Sequence, residues 1–132
     1  RSVAIGDDDC AGTLHDNLMY VGADMVCQTV DAIAEGNIEP KEQPMDIELK
    51  AAPKIFKNDC KIDWSESAEK VRNKIRGLSP YPAAWGALDM GNNEEPLAVK
   101  IFSADIVSGN GDPGSIKTDG KRLTPRKCER GW

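Results

Sequence analysis

Apolar positions near the start of the chain recur at helical spacing. From Asp9 to Ala34, the residues Leu14, Leu18, Val21, Met25 and Val26, then Val30 and Ile33, follow at steps of three and four and predict one long helix, with a bend allowed at Gly22. Asp7, Asp8 and Asp9 supply negative charge and a cap at its start, and Gly36 stands where a left-handed residue closes a helix. The stripe of Leu14, Leu18, Val21 and Met25 calls for a partner surface, yet only Ser2 to Ile5 precedes it as a strand candidate. The helix therefore reads as the outer layer of something larger.

The pattern then breaks. Residues 37–53, NIEPKEQPMDIELKAAP, carry three prolines and no sustained period, and read as an extended connector. In KIFKNDCKIDW, Ile55 with Phe56 and Ile62 with Trp64 predict two short extended pieces around a polar Asn58-Asp59 turn. Ser65 is expected to cap a second helix with a buried stripe of Ala68, Val71, Ile75 and Leu78, ended by Gly77 and Pro80.

Beyond it the period becomes that of strands. Ala83 to Leu88, Leu97 to Val107, Gly114 to Thr118 and Leu123 to Cys128 are separated by the turn clusters MGNNEEP, SGNGDP and TDGK. Leu97, Val99 and Ile101 alternate with Ala98, Lys100 and Phe102, which predicts one apolar face. The implied unit is a small barrel or sandwich preceded by a helix. Four strands are too few to close a barrel, so a domain cut short at its C-terminus is expected.

Composition narrows the function classes. With 132 residues, 39% of them hydrophobic and 30% charged, the chain suits one domain or pieces of two, with a modest core. No uninterrupted apolar run is long enough to predict a membrane span, and RSVAIGDDDC lacks the marks of a secretory signal. Cys10, Cys27, Cys60 and Cys128 form no CxxC pair, so no metal site is predicted; reduced, mostly buried thiols are expected, as in a cytosolic protein.

The net charge of -5 is unevenly spread. Residues 1–50 hold 11 acids and 3 bases, whereas residues 51–132 hold 11 acids and 14 bases. Only the second part can meet a polyanion. Near its end, Lys117, Lys121, Arg122, Arg126, Lys127 and Arg130 face only Asp119 and Glu129.

Catalytic signatures are missing. GNGDPG at residues 109–114 has the glycine spacing of a dinucleotide cradle, but Pro113 and the β-like SIKT after it indicate a turn between strands. His15, the sole histidine, sits in a helical run with Asp16 expected to point elsewhere on the helix, so no triad is read there. No serine lies in a nucleophile elbow. Lys70, Arg72, Lys74 and Arg76 on the second helix, with Lys54, Lys57 and Lys61 before it, could follow a phosphate backbone, although Asp59, Asp63, Glu66 and Glu69 dilute them.

Three stretches, AGTLHDNLMYVGADMVCQTVDAIAEGNIEP, APKIFKNDCKIDW and IRGLSPYPAAW, occur in the order and spacing seen in the methionyl-tRNA formyltransferase family, which the chain closely resembles. PGSIKTDGKRL also resembles a segment of that family's C-terminal domain. The resemblance implies an α/β plus β architecture. Residues 1–36 would be the end of a Rossmann-like catalytic domain, and residues 37–61 the interdomain linker. Residues 62–132 would be a truncated OB-like barrel preceded by its helix.

It further implies a monomeric, cytoplasmic bacterial parent that moves a formyl group from 10-formyltetrahydrofolate to the amino group of methionyl-initiator tRNA. The family's catalytic Asn, His and Asp are not found here, since Thr13 rather than Asn stands two before His15. No catalytic, cofactor-binding or metal residue is therefore assigned. The resemblance instead assigns tRNA contact, with Lys54 and Lys57 at its K-I-x-K positions and Arg76 in its I-R-x-x-x-P-x-P motif. Lys61, Lys117, Lys121 and Arg122 complete the expected set. Arg76 has a second reading, tying its helix to the Pro80-Tyr81-Pro82 turn. Ala83 departs from the family's glycine in PYPGAW. Two rival functions remain: a sugar-nucleotide formyltransferase of the same plan, and a nucleic-acid-binding module without chemistry.

Overall fold

A computed structural model describes residues 1–45, 48–89, 91, 95–109, 112–118 and 123–125, with backbone alone for 117–118 and 123–125. Helix α1 spans Ala11–Ala34 without interruption at Gly22. It begins two residues later than the aspartate run suggested, because Cys10 holds the extended backbone of the cap, with φ -109° and ψ 174°. The Cys10 amide donates to Thr13 Oγ1 at 3.0 Å. Asp9 instead braces the turn ahead of the helix: Oδ2 accepts from the Gly6 amide at 2.7 Å, and Oδ1 from Thr13 Oγ1 at 2.9 Å.

Those contacts hold the Asp9 carboxyl below its ordinary range. The Gly6 N–H contributes most, followed by the Thr13 hydroxyl; burial opposes them, and the Arg76 charge adds a lesser lowering. A depressed carboxylate supports the folded state above its unfolded pKa and loses that support as pH falls through the folded value. Asp9→Asn is expected to flatten the acid limb of the stability profile, read from thermal melts taken downward from neutral pH. Acid limbs of equal steepness would contradict this.

At the other end, Gly36 adopts φ +71°, the left-handed backbone that glycine takes without cost. The Gly36 and Asn37 amides then return to the carbonyls of Ile33 and Ala32 at 3.1 and 2.9 Å, closing the helix.

The start of α1 is seated on the turn after the second helix. The Gly12 amide donates to Ser79 O at 3.0 Å. A Cβ on Gly12 would stand 2.6 Å from Pro80 Cδ, so only glycine admits this approach. Along the predicted stripe, Leu14 and Val21 are half-buried, while Leu18 and Met25 are 49% and 39% exposed. Ser2 to Ile5 form no strand. Cys27 is exposed and Cys10 half-buried, so of the described thiols only Cys60 meets the expectation of burial; Cys128 lies outside the described residues.

The described residues between 37 and 56 carry no helix or strand. The predicted Asn58-Asp59 turn is a 3-10 helix, Lys57–Cys60, entered through Phe56, whose amide donates to Asp59 Oδ2 at 2.7 Å. Lys61 then bridges to Trp85, and the Ile62 amide donates to Trp85 O at 2.9 Å.

Helix α2, Ala68–Leu78, is capped by Ser67, whose hydroxyl accepts from the Lys70 amide at 3.3 Å. The expected cap, Ser65, is occupied elsewhere: its amide and hydroxyl donate to Asp63 Oδ1 at 2.9 and 2.6 Å, and lower the Asp63 pKa. Gly77 lies inside the helix rather than ending it, and Ser79 is the C-terminal cap.

Strands β1, Ala84–Leu88, and β2, Leu97–Ile101, pair antiparallel with Trp85 opposite Lys100. Strands β3, Ile116–Thr118, and β4, Leu123–Pro125, form a second antiparallel pair. Strand β2 is shorter than its apolar pattern suggested, whereas residues 126–128 of the predicted fourth strand lie outside the described residues. The predicted Leu97-Val99-Ile101 face is covered only at one end: Ile101 packs on the core, while Leu97 is 58% exposed. Among the described residues the strands make two separate two-stranded sheets rather than a barrel.

The core is small. Ile62, Val71, Ile75 and Ala84 form its buried centre, with Trp64, Leu78, Ile101 and Ala104 packed against it. Trp64 lies across Gly86 and beside Gly114, which brings the turn before β3 against β1. Within GNGDPG, Gly114 has φ +78° and the Ser115 amide donates to Asp112 O at 3.0 Å, the strand-linking turn predicted for that motif; residues 110 and 111 lie outside the described set. Ala83 has φ +71°, which explains why glycine suits this position: alanine holds a left-handed backbone at a cost of about 1 kcal/mol.

Candidate nucleic-acid interface

The 3-10 helix and β1 gather three lysines and two aromatic rings. Trp85 is locked first, its Nε1 donating to Lys57 O at 2.8 Å across 28 residues of sequence. That bond sets the 3-10 helix against the strand. The ammonium groups of Lys57 and Lys61 stand 5.5 and 5.6 Å from the Trp85 ring centroid, and Lys54 Nζ stands 5.5 Å from that of Phe56. Among the described residues no carboxylate forms an ion pair with these lysines. Asp59, the nearest acid in sequence, spends Oδ2 on the Phe56 amide.

Lys54, Lys57 and Lys61 are all exposed, as is Phe56 at 62%. Unpaired cations on a hydrogen-bonded frame can neutralise phosphates, and aromatic rings among them add stacking surface. The lysines were legible in the sequence. The roles of Phe56 and Trp85 were not, although an aromatic residue between two lysines in K-I-F-K is a signal that would have found Phe56.

The bases of α2 are used differently. Arg76 Nη1 donates to the carbonyls of Gly6, Asp7 and Asp9 at 2.9, 3.3 and 3.1 Å, and its Nε to Asn73 Oδ1 at 2.9 Å. Arg72 Nη2 donates to Asp7 O at 2.9 Å and Asp8 Oδ1 at 3.1 Å. Arg76 is thus engaged with the loop before α1, and the Pro80-Tyr81-Pro82 turn is not its partner. Lys70 reaches Glu66 at 3.4 Å on the exposed surface.

Of the C-terminal bases, Lys117 lies on β3 with only its backbone described; Lys121, Arg122, Arg126, Lys127 and Arg130 lie outside the described residues.

Chemistry-bearing groups do not converge here. His15 Nδ1 lies 3.1 Å from Asp16 Oδ1, closer than helix geometry suggested, but both side chains are well exposed and no serine or cysteine among the described residues hydrogen-bonds to the pair. Among the described residues no cluster of metal-ligating side chains occurs. An apolar hollow on α1 is lined by Gly22, Met25, Val26, Thr29 and Val30, and the Thr29 hydroxyl there donates to Met25 O at 2.7 Å, so this hollow offers a folate no free side-chain hydroxyl. No described helix is long and apolar enough to cross a membrane.

Comparison with known proteins adds a family to this geometry. Residues 54–132 match the formyl transferase C-terminal domain, a match that opens at Lys54. The chain is 44% identical over 126 residues to a methionyl-tRNA formyltransferase of Bacteroides fragilis, covering 92% of this chain and 39% of that protein. It is 42% identical over 125 residues to the enzyme of Phocaeicola vulgatus, covering 90% and 38%. With the enzyme of Citrifermentans bemidjiense, identity is 36% over 131 residues, covering 99% and 39%. The chain therefore spans about two fifths of the length of these relatives.

Proposed function

The chain belongs to the formyl transferase C-terminal domain family, and from that premise we propose that it supplies the tRNA-holding part of a methionyl-tRNA formyltransferase. The reaction of the whole protein is transfer of a formyl group from 10-formyltetrahydrofolate to the amino group of methionyl-initiator tRNA. This chain contributes binding to it, through Lys54, Lys57 and Lys61, with Lys117, Lys121 and Arg122 as further phosphate contacts. Residues 1–36 act as the edge of a catalytic domain, 37–61 as linker, and 62–132 as an OB-like unit. Arg76 serves by fixing the loop before α1, where its guanidinium is already engaged.

The observation that carries the reading is the trio of lysines without acidic partners among the described residues, held around Trp85 and Phe56 at the start of the family match. Each phosphate they neutralise steepens the salt dependence of binding by roughly 0.7 to 0.9 in log affinity against log salt. Replacing Lys54, Lys57 and Lys61 together by alanine is expected to make that slope shallower by roughly 2 to 3 and to weaken tRNA binding by about tenfold or more. Filter binding across a salt series measures both. An unchanged slope would remove the three lysines from the interface. Formylation of a sugar nucleotide but not of methionyl-tRNA by the protein would overturn the proposed acceptor.

A further inference from the structure

We infer that Phe56 is a stacking platform for an unpaired nucleobase, so that this surface holds a single-stranded stretch of RNA rather than a duplex wall. The inference rests on the tRNA-binding reading above and deepens it. Phe56 is 62% exposed, although burying its ring would be favourable. Its backbone is not free to withdraw the ring: Phe56 caps the start of the 3-10 helix, and its amide is held by Asp59 Oδ2 at 2.7 Å. The ring is therefore presented from a fixed backbone position.

The second aromatic of the cluster shows the contrast. Trp85 is half-buried, hydrogen-bonded through Nε1 to Lys57 O, and attended by two ammonium groups, so it acts as the frame. Phe56 has one cation, Lys54 Nζ at 5.5 Å from its centroid, which leaves the opposite face of the ring for another π-system. Such an occupant must suit cationic surroundings that the described acids do not neutralise. A nucleobase with its phosphates on Lys54 and Lys57 does so; an apolar peptide face does not.

Duplex RNA cannot use the ring. Its bases are stacked on one another, and its shallow minor groove presents hydroxyls and phosphates, against which an exposed phenyl gains nothing. Only an unstacked base offers a free face.

The test uses the full chain and two RNA hairpins of one stem sequence, each closed by a non-nucleotide linker so that no loop base is unpaired, one blunt and one with a 3′ overhang of about four nucleotides carrying 2-aminopurine. The overhang should bind roughly fivefold to a hundredfold more tightly than the blunt form, the range expected for one base stacked on an aromatic side chain, and its fluorescence should be quenched on binding. Phe56→Leu should abolish both the preference and the quenching while leaving the salt slope unchanged, and Phe56→Tyr should keep both. Circular dichroism matching the parent checks that the exposed substitution leaves the fold intact. Equal affinity for the two hairpins, or a preference that survives Phe56→Leu, overturns the inference while leaving lysine-dependent binding in place. Failure to bind either RNA removes the tRNA reading, and this inference with it.

Discussion

Ile75→Ala is expected to cost the chain about 2–5 kcal/mol and to move its unfolding transition to lower urea. Among the described residues Ile75 is the largest fully buried side chain, 1% exposed, in a cluster with buried Ile62, Val71 and Ala84. Alanine there opens a cavity under α2 that β1 cannot fill, because Ala84 on the facing strand offers only a methyl group with no rotamer to change. A domain held by about 5–15 kcal/mol in total has little reserve against such a loss. Urea titration measures it, with Ile75→Val as the graded control at about 0.5–1.5 kcal/mol. A loss under 1 kcal/mol for alanine would mean that α2 does not carry the core.

The second large effect concerns the two arginines of α2. Arg72 and Arg76 together make five hydrogen bonds to the loop 6–9, four of them to main-chain carbonyls. Charge-assisted bonds of this kind are worth more than neutral ones, and the guanidinium fork can serve several acceptors at once. Replacing both by alanine is expected to lower the free energy of opening this loop by about 2–4 kcal/mol, with solvent screening of the four exposed contacts accounting for the lower figure. Hydrogen exchange at the Gly6, Asp9 and Gly12 amides should accelerate by roughly thirtyfold to several hundredfold, while the Val71 amide inside α2 stays protected. The paired lysine variants should rescue only part of this, since one ammonium cannot span the carbonyls of Gly6, Asp7 and Asp9. Unchanged exchange in the loop would show that the guanidinium contacts do not hold it.

This second role bears on function. The loop 6–9 leads into α1, and α2 leads into β1 and Trp85, so the two arginines link the long helix to the frame of the lysine cluster. A base that a composition count assigns to phosphate binding can instead be spent on the protein's own carbonyls. Arg72 and Lys57 are equally cationic on the page of the sequence; only their neighbours separate them.

What could be read from residue order was whatever depends on near neighbours. The spacing of Leu14, Leu18, Val21 and Met25 predicted α1, and Gly36 its left-handed end; Val71 and Ile75 marked the buried face of α2; the turn clusters separated the strands. K-I-x-K and the other shared stretches carry the family in the sequence itself. Helix periodicity, capping and turns are set within a few residues, so the chain states them directly.

Contacts distant in sequence needed the fold. Ser67 displaced Ser65 as a cap because Asp63 had already taken the Ser65 amide and hydroxyl. Pairing of the apolar strand ended at Ile101 rather than continuing to Val107. Arg76 turned toward carbonyls 67 to 70 residues away, and Trp85 reached a carbonyl 28 residues back. A side chain's partner depends on which of several competing donors and acceptors arrives within hydrogen-bond range. That competition is settled by how α1, α2 and β1 pack, which local spacing does not encode.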